Sequence, residues 1–297
     1  MDLRKLSYFL AVAEQGGFTR ASEAAFASQP ALSLAVKKLE QELGVQLFHR
    51  IGHDVRLTPA GAALVGPARQ IQRDVETARA AVADIAGLRA GSLSLCSLPT
   101  LAANPLAELV GRFRIRHPGV VVDLAAPETS DDLLVLLRSG GAEIGLTESI
   151  SLPAELVAND LLTQGLLIVL PPGTGRRQPR IAMRELADIP LIAAPTGTST
   201  RRLLDEAFDA AGVTPRIAVV TAQRDAILPL VLAGAGAALV PESLAQEAVR
   251  SGATLARPDP AITRHVVLAH RRGPLAPAAQ RFLDESATSA RPRLPSG

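Results

Sequence analysis

Gln29, Ser33 and Lys37 recur four residues apart, with Lys38 beside the last. On a helix that spacing lines them along one face. Glutamine and serine side chains can pair with base edges in a DNA major groove, and lysine can hold a phosphate. In the same segment Leu32, Val36, Leu39 and Leu43 recur at steps of four, three and four, the stripe of a helix that buries one side. The segment therefore has a side to anchor and a side to read with. Arg50 and Arg56 follow on either side of the polar turn Gly52-His53-Asp54, where they would add positive charge beside the same groove.

Catalytic patterns are missing. His49, His53, His117, His265 and His270 are scattered, without metal-ligand spacing. The sequence contains no Gly-x-Ser-x-Gly elbow and no phosphate-binding loop. Gly234-Ala235-Gly236 lacks the third glycine of a dinucleotide fingerprint and reads as a tight turn. Cys96, the sole cysteine, lies in an expected strand and reads as a buried apolar residue. The expectation is a protein that is not an enzyme, with no metal site and no cofactor.

The reading segment needs elements to hold it. Leu3, Leu6, Phe9, Leu10 and Val12 follow helical spacing up to a stop at Gln15-Gly16-Gly17. Thr19 is the expected N-cap of a short second helix through Phe26. Ala27-Ser28 breaks the chain, Ser28 caps the third helix and Pro30 fits its first turn. A short helix, a tight break and a helix with a polar outward face describe a helix-turn-helix. Val45 to Ile51 and Val55 to Leu57, around the polar turn, predict a hairpin, which after a reading helix is a wing.

Thr58 and Pro59 open a long helix. Leu64, Ala68, Ile71, Val75, Ala78, Val82 and Ile85 recur at steps of four and three, a heptad seam of about three repeats. So narrow a stripe suits a partner helix, which predicts a homodimer. Pro67 should kink this helix, and Gly87 and Gly91 should end it.

From Ser92 the pattern alternates strands and helices, which predicts βαβ units and a mainly parallel sheet. The expected strands are 93–98, 120–124, 143–146, 166–170, 191–194, 217–220, 237–240 and 265–270. The expected helices are 100–116, 131–138, 201–211, 226–233 and 278–286. Two such sets predict two lobes with a ligand cleft between them. The turns that follow the strands should line it, and here they are rich in small hydroxyls: Ser97, Thr100, Thr129, Ser130, Thr147, Thr196, Thr198, Ser199 and Thr221. Hydroxyls and helix N-termini favour anions such as carboxylates, but each hydroxyl can equally be a helix cap.

Composition agrees with this division. A chain of 297 residues favours more than one folded unit. Net charge is only +2, so a DNA-binding surface must be a local patch. A single cysteine excludes an intrachain disulfide and fits a reducing compartment. No run of eighteen apolar residues is present, and Met1-Asp2-Leu3-Arg4-Lys5 does not open a secretory leader. No membrane partner and a cytoplasmic location are therefore expected.

Several separated blocks carry a family resemblance: Leu6-Ser7-Tyr8-Phe9, Gly17-Phe18-Thr19-Arg20-Ala21, Ser28-Gln29-Pro30-Ala31-Leu32-Ser33, the run from Leu39 to Arg50, and Leu57-Thr58-Pro59-Ala60-Gly61. In order and spacing they resemble the LysR-type transcriptional regulators. Phe113 to Val120, Ile144-Gly145-Leu146, Gly234 to Pro241 and Arg271-Arg272-Gly273 are more loosely similar to the effector domain of that family. The resemblance implies an α/β protein with three parts. A winged helix-turn-helix spans 1–58 and a dimerisation linker helix spans 59–90. A periplasmic-binding-protein-like effector domain of two lobes spans 91–297, with lobe 1 at 91–162 and 265–288, lobe 2 at 163–264 and a disordered tail at 289–297. It implies that Gln29, Pro30 and Ser33 read bases of double-stranded DNA while Lys37, Lys38, Arg50, Arg56 and Thr58 hold its backbone. Thr19 and Ser28 complete the expected DNA-binding set. It also implies a small-molecule effector, a carboxylate or small aromatic metabolite, with Thr100 and Thr129 as favoured contacts, and a tetramer built from dimers. Two departures matter. Leu34 stands where the family often has arginine, and Glu148 stands at the cleft edge where some relatives use arginine for acid effectors. Glu40, Glu42 and Asp54 are expected to offset the basic residues of the head and flatten the salt dependence of binding. The rival reading, a solute-binding receptor without a DNA role, predicts no head at all.

Overall fold

Two glycines close the first and third helices of the head. The computed structural model describes residues 1–51, 54–85, 91–149, 152–174 and 179–289. Helix α1 (Leu3–Gln15) ends on Gly16 and α3 (Gln29–Leu43) on Gly44, both left-handed with φ of 62° and 70°. That conformation suits glycine. Between them α2 (Phe18–Ala24) starts at Gly17, not at Thr19 as the capping rule predicted. Gly17 takes the extended backbone of a cap, and Thr19 lies exposed as the second residue of the helix. Ser28 has the cap conformation at α3 but makes no side-chain cap bond.

Leu32, Val36 and Leu39 of α3 pack with Leu6, Phe9 and Val12 of α1 in the core of the head. Strands β1 (Phe48–Ile51) and β2 (Asp54–Leu57) form the expected antiparallel hairpin, with Phe48 opposite Leu57. The wing is tied to the reading helix by Glu40, whose carboxylate accepts from the Leu47 and Phe48 N–H groups at 2.8 and 3.3 Å.

Helix α4 (Pro59–Ile85) is continuous through Pro67. The Thr58 hydroxyl caps it, accepting from the Gly61 N–H at 3.0 Å and donating to the Gln46 carbonyl at 2.7 Å. The heptad seam is only partly available to a partner. Ala68 is fully buried in the core of the head, and Leu64 and Ile71 pack against that core. Ala68 is thus spent inside the monomer, whereas Leu64 and Ile71 are half-buried and keep part of their surface exposed. Val75 is half-buried and Ala78 exposed. The Val82 and Ile85 side chains, the linker end 86–90 and the tail 290–297 lie outside the described residues.

The effector half begins with β3 (Gly91–Ser97). The expected single helix over 100–116 is split. A short turn α5 (Pro99–Leu101) runs into a π-type turn over Ala102–Leu106, where Asn104 is non-helical, and only then into α6 (Ala107–Arg116). Pro105 has no N–H to continue a helix. The rest of lobe 1 is β4 (Val120–Ala125), α7 (Ser130–Arg138) and β5 (Ile144–Glu148). Next comes β6, which is not the five-residue strand expected at 166 but a fifteen-residue strand, Leu156–Leu170. Lobe 2 follows with β7 (Arg180–Ala182), α8 (Met183–Ala187), β8 (Leu191–Ala193), α9 (Ser199–Ala211), β9 (Ile217–Val220), α10 (Arg224–Leu232), β10 (Ala237–Pro241), α11 (Glu242–Arg250) and β11 (Thr254–Asp259). Strand β12 (Ile262–Arg271) returns to lobe 1, and α12 (Pro277–Ser289) covers it.

The sheet order is β4-β3-β5-β12-β6-β10-β8-β9, with β11 also on β6 and β7 on β11. The β3 pairs with β4 and β5 are parallel, as are the β8 pairs with β9 and β10. Strands β6 and β12 run antiparallel to each other over 156–166 and 262–271. They are the two passages between the lobes. Each lobe has its own apolar interior, one around Leu95, Leu137 and Phe282 and the other around Ile168, Phe208 and Leu239.

Two glycine substitutions separate packing from propensity. A Cβ on Gly61 would lie 2.1 Å from the Leu47 carbonyl oxygen, a backbone atom held by the wing. Gly61→Ala is expected to destabilise the head by about 1–3 kcal/mol. Gly111 in α6 is exposed and has nothing within 4 Å of that position. Gly111→Ala is expected to stabilise by about 0.5–1 kcal/mol. Chemical-denaturation midpoints of the two variants measure both shifts.

Candidate nucleic-acid interface and ligand cleft

The buried stripe of α3 turns its other side outward. Ser28, Gln29, Pro30, Lys37 and Lys38 are exposed and Ser33 is half-buried. Arg56 is exposed on β2, and the Arg50 side chain lies outside the described residues. Ser28, Gln29, Pro30 and Ser33 stand at the N-terminal end of α3, Lys37 and Lys38 follow past its middle, and Arg56 lies on β2 of the wing. Thr58 does not join them. It is 6% exposed and its hydroxyl both donates and accepts inside the fold, so it positions α4 instead of touching a phosphate. Two of the acidic residues expected to offset these charges have partners of their own. Glu40 holds the wing, and Glu42 pairs with Lys5 and with the Met1 amino group at 2.9 Å.

At the other end of the molecule the inter-lobe cleft is closed by polar contacts. Arg264 of β12 is 2% exposed. It donates to the Gln164 side-chain oxygen at 2.8 Å from Nε and 2.5 Å from Nη2, and to the Ser199 hydroxyl at 3.0 Å. Gln164 in turn donates to the Asn104 carbonyl at 3.2 Å. Arg202 of α9 pairs with Glu148 at the end of β5, and Arg224 of α10 reaches Glu128 of lobe 1 at 2.8 Å. Burial pushes the Arg264 guanidinium down to about 10, against the pull of Glu148. Burial likewise raises the Glu148 carboxyl, although Arg202 and Arg264 oppose the rise. The Oε1 of Glu148 is buried without a hydrogen-bond partner.

Beside this network lies a cavity of about 40 Å³, lined by Thr100 from lobe 1 and by Ile192, Thr200, Arg201, Leu204, Arg224, Ile227, Leu239 and Leu244 from lobe 2. Its chemistry is amphiphilic, with aliphatic walls and two guanidinium groups. It is smaller than the pockets that hold small molecules, which run to about 300–1,000 Å³.

Of the nine hydroxyl residues expected in the cleft, only Thr100 lines this cavity. Thr129 caps α7, accepting from the Asp132 N–H at 3.1 Å. Thr198 donates to the Pro195 carbonyl, and Thr221 accepts from the Gln223 N–H. Ser97 is fully buried and donates to the Leu98 carbonyl. Thr147 is buried, Thr196 exposed and Ser130 half-buried in the first turn of α7. Ser199 is in the cleft, but as the acceptor of Arg264. Arg201, Arg224, Arg264 and Gln164 were not foreseen. An arginine two residues into a helix reads as surface charge until the facing lobe is known.

A second polar joint links α4 to lobe 1. The Arg73 guanidinium reaches the Gly140 carbonyl and donates to Gln70 at 2.8 Å. Arg271 donates to the same Gln70 oxygen at 3.1 Å and to the Leu137 carbonyl. Burial, with the charge of Arg271 nearby, brings Arg73 down to about 10. The carbonyls these arginines hold close the C-terminal end of α7, whose N-terminal end carries Thr129.

A winged helix-turn-helix joined by a long helix to a two-lobed α/β unit defines a DNA-binding regulator that responds to a small molecule. Comparison with known proteins agrees. Residues 3–62 match the family model described as "Bacterial regulatory helix-turn-helix protein, lysR family", and residues 86–291 match the "LysR substrate binding domain". The chain belongs to the LysR family of transcriptional regulators. It is 32% identical over 249 residues to the HTH-type transcriptional regulator IlvR of Caulobacter vibrioides, covering 82% of this chain and 83% of that one. To the RuBisCO operon transcriptional regulator of Allochromatium vinosum it is 29% identical over 244 residues, covering 81% and 79%. A full-length OxyR variant from Pseudomonas aeruginosa superposes with a TM-score of 0.77 at 25% identity, covering 100% of this chain and 99% of that one. Full-length CbnR complexed with its target DNA superposes with a TM-score of 0.57 at 26% identity, covering 98% and 100%. DNA, an effector and further copies of the chain are the partners of such a regulator. Among the described residues no helix is long and apolar enough to cross a membrane.

The raised Glu148 carboxyl has a consequence for stability. A carboxyl that holds its proton more tightly when folded costs stability once it ionises. As pH rises from the ordinary glutamate value of 4.5 through the raised value, the wild type should lose stability relative to Glu148→Gln. Melting temperatures of both proteins from pH 4.5 to 7 measure this. A difference that stays constant over that range defeats the assignment.

Proposed function

We propose that the chain reads a promoter through Ser28, Gln29, Pro30 and Ser33 and grips the DNA backbone through Lys37, Lys38, Arg50 and Arg56. The observation that carries this reading is the outward polar side of α3, backed by leucines that fix its orientation. Head 1–58, linker 59–90 and effector domain 91–297 are the working parts. It acts in the cytoplasm, as a homodimer at least, and is not an enzyme. The exposed end of the seam on α4, from Val75 and Ala78 onward, is where a second chain pairs. Head pairing then sets half-sites about one helical turn of DNA apart or a multiple of it. The solute-binding alternative leaves the head without a purpose.

The effector is a small acid with an apolar body, received by Arg224, Arg201, Thr100 and Thr200 against the aliphatic wall. To enter, it must part the lobes and compete with Glu128 for Arg224. It shifts the protein only by its differential affinity for the opened and closed arrangements. Helix α7 runs from that cleft to the joint at Arg73 and Arg271, which supports it as the route to the linker.

Gel shifts on promoter fragments test the interface. Gln29→Ala is expected to relax sequence choice, and Arg56→Ala to weaken binding to every sequence alike. Loss of discrimination in both variants, or in neither, contradicts the division of labour. A thermal-shift panel of small carboxylic acids and their amides tests the cleft. Acids alone should raise the melting temperature, and Arg224→Ala should abolish the rise. An equal rise with the amides rejects the charge-based reading.

A further inference from the structure

The outward surface of the head carries two apolar residues that the core does not use. Leu34 is 54% exposed. It lies one turn beyond Pro30 and one turn before Lys37 and Lys38, so it shares their side of α3. Phe26 is 100% exposed. Phe9, Phe48, Phe113, Phe208 and Phe282 are buried and Phe18 is half-buried, which sets Phe26 apart. It sits in the turn two residues ahead of the Ser28 cap. With φ of 48° it is the one described residue other than glycine in the left-handed region. Aromatic side chains avoid that conformation. The left-handed backbone closes α2, with the Phe26 N–H on the Glu23 carbonyl at 3.2 Å and the Ala27 N–H on the Ser22 carbonyl at 2.9 Å, but glycine would serve that stop better, and the exposed ring adds nothing to the core.

Leu34 lies next to Pro30 and Ser33 on α3, and Phe26 precedes Gln29 by three residues in the turn that leads into that helix. Neither can hydrogen-bond to a base or pair with a phosphate. The major groove offers one apolar group to such side chains, the 5-methyl of thymine. We propose that Leu34 and Phe26 read thymine methyl groups in the operator half-site. Apolar recognition then takes the place of the basic contact that the resemblance led one to expect at position 34. Each methyl is worth roughly three- to fivefold in affinity, the value of removing one such group from water. Specificity at these positions is insensitive to salt, because no counterion is released. The inference rests on α3 being the reading helix.

The test uses the full-length protein and a duplex site selected from a random-sequence DNA pool. Each thymine of that site is replaced in turn by deoxyuridine, which removes the methyl and leaves the hydrogen-bonding edge intact. At two or more positions wild type should lose roughly three- to fivefold. The loss should vanish at one of them in Leu34→Ala and at another in Phe26→Ala. Both side chains are exposed, and circular dichroism checks that the variants are folded. Leu34→Arg provides a second readout, with methyl dependence lost at the Leu34 position and a steeper fall in affinity with salt. A selected half-site without thymine, no deoxyuridine effect on wild type, or the same effect in all variants overturns the inference and leaves the DNA-binding reading standing. A pool that enriches no sequence overturns both.

Discussion

The antiparallel ladder between β6 and β12 is the constraint on which the effector half depends. These strands carry the chain into lobe 2 and back, and they hydrogen-bond to each other along the way. Every relative movement of the lobes must therefore be absorbed within one pair of strands. The register shift at Val266 and Val267 lies inside that ladder, close to where Arg264 sits buried. A hinge of two paired strands permits rotation but resists separation. The same geometry places Gln164, Glu148 and Arg264 at one crossing, where each lobe sees the charges of the other.

Those charges are a poor way to stabilise a fold. Removing a guanidinium and a carboxylate from water costs more than their attraction commonly returns, and well-packed apolar residues would often serve stability better. Their value lies in choice of state. A cleft closed by ion pairs has an energy that depends strongly on what else offers charge there, whereas a cleft closed by leucines responds mainly to area. Glu148–Arg202 and Glu128–Arg224 thus make the closed arrangement sensitive to an entering polar ligand.

The head follows a different logic. Its elements are short and local, and one apolar core gathers α1, α3, the wing and the start of α4. This makes the reading side of α3 a rigid consequence of the buried side. It also explains why the seam on α4 divides. Ala68 belongs to the core of the head, Leu64 and Ile71 lean on that core, and Val75 and Ala78 lie beyond it. A helix cannot give the same side chains to two neighbours.

The three helices of the head, the wing and the alternating strands were legible in the sequence because period, caps and turn residues act over a few positions. The outward polar residues of α3 were legible for the same reason, as was Thr58 as a cap. Thr19 was misjudged because two glycines precede it, and Gly17 took the extended conformation first. The cleft was hardly legible. Serine and threonine announce helix caps and ligand contacts in the same way, and most of the expected set proved to be caps or buried. Glu148, Gln164, Arg202 and Arg264 come from separate stretches of chain and meet only when β6 and β12 pair. Local pattern thus determined the elements and the outward polar side of α3. Tertiary structure decided which polar groups face one another in the cleft and which part of the α4 seam is left open, because both depend on burial between distant segments.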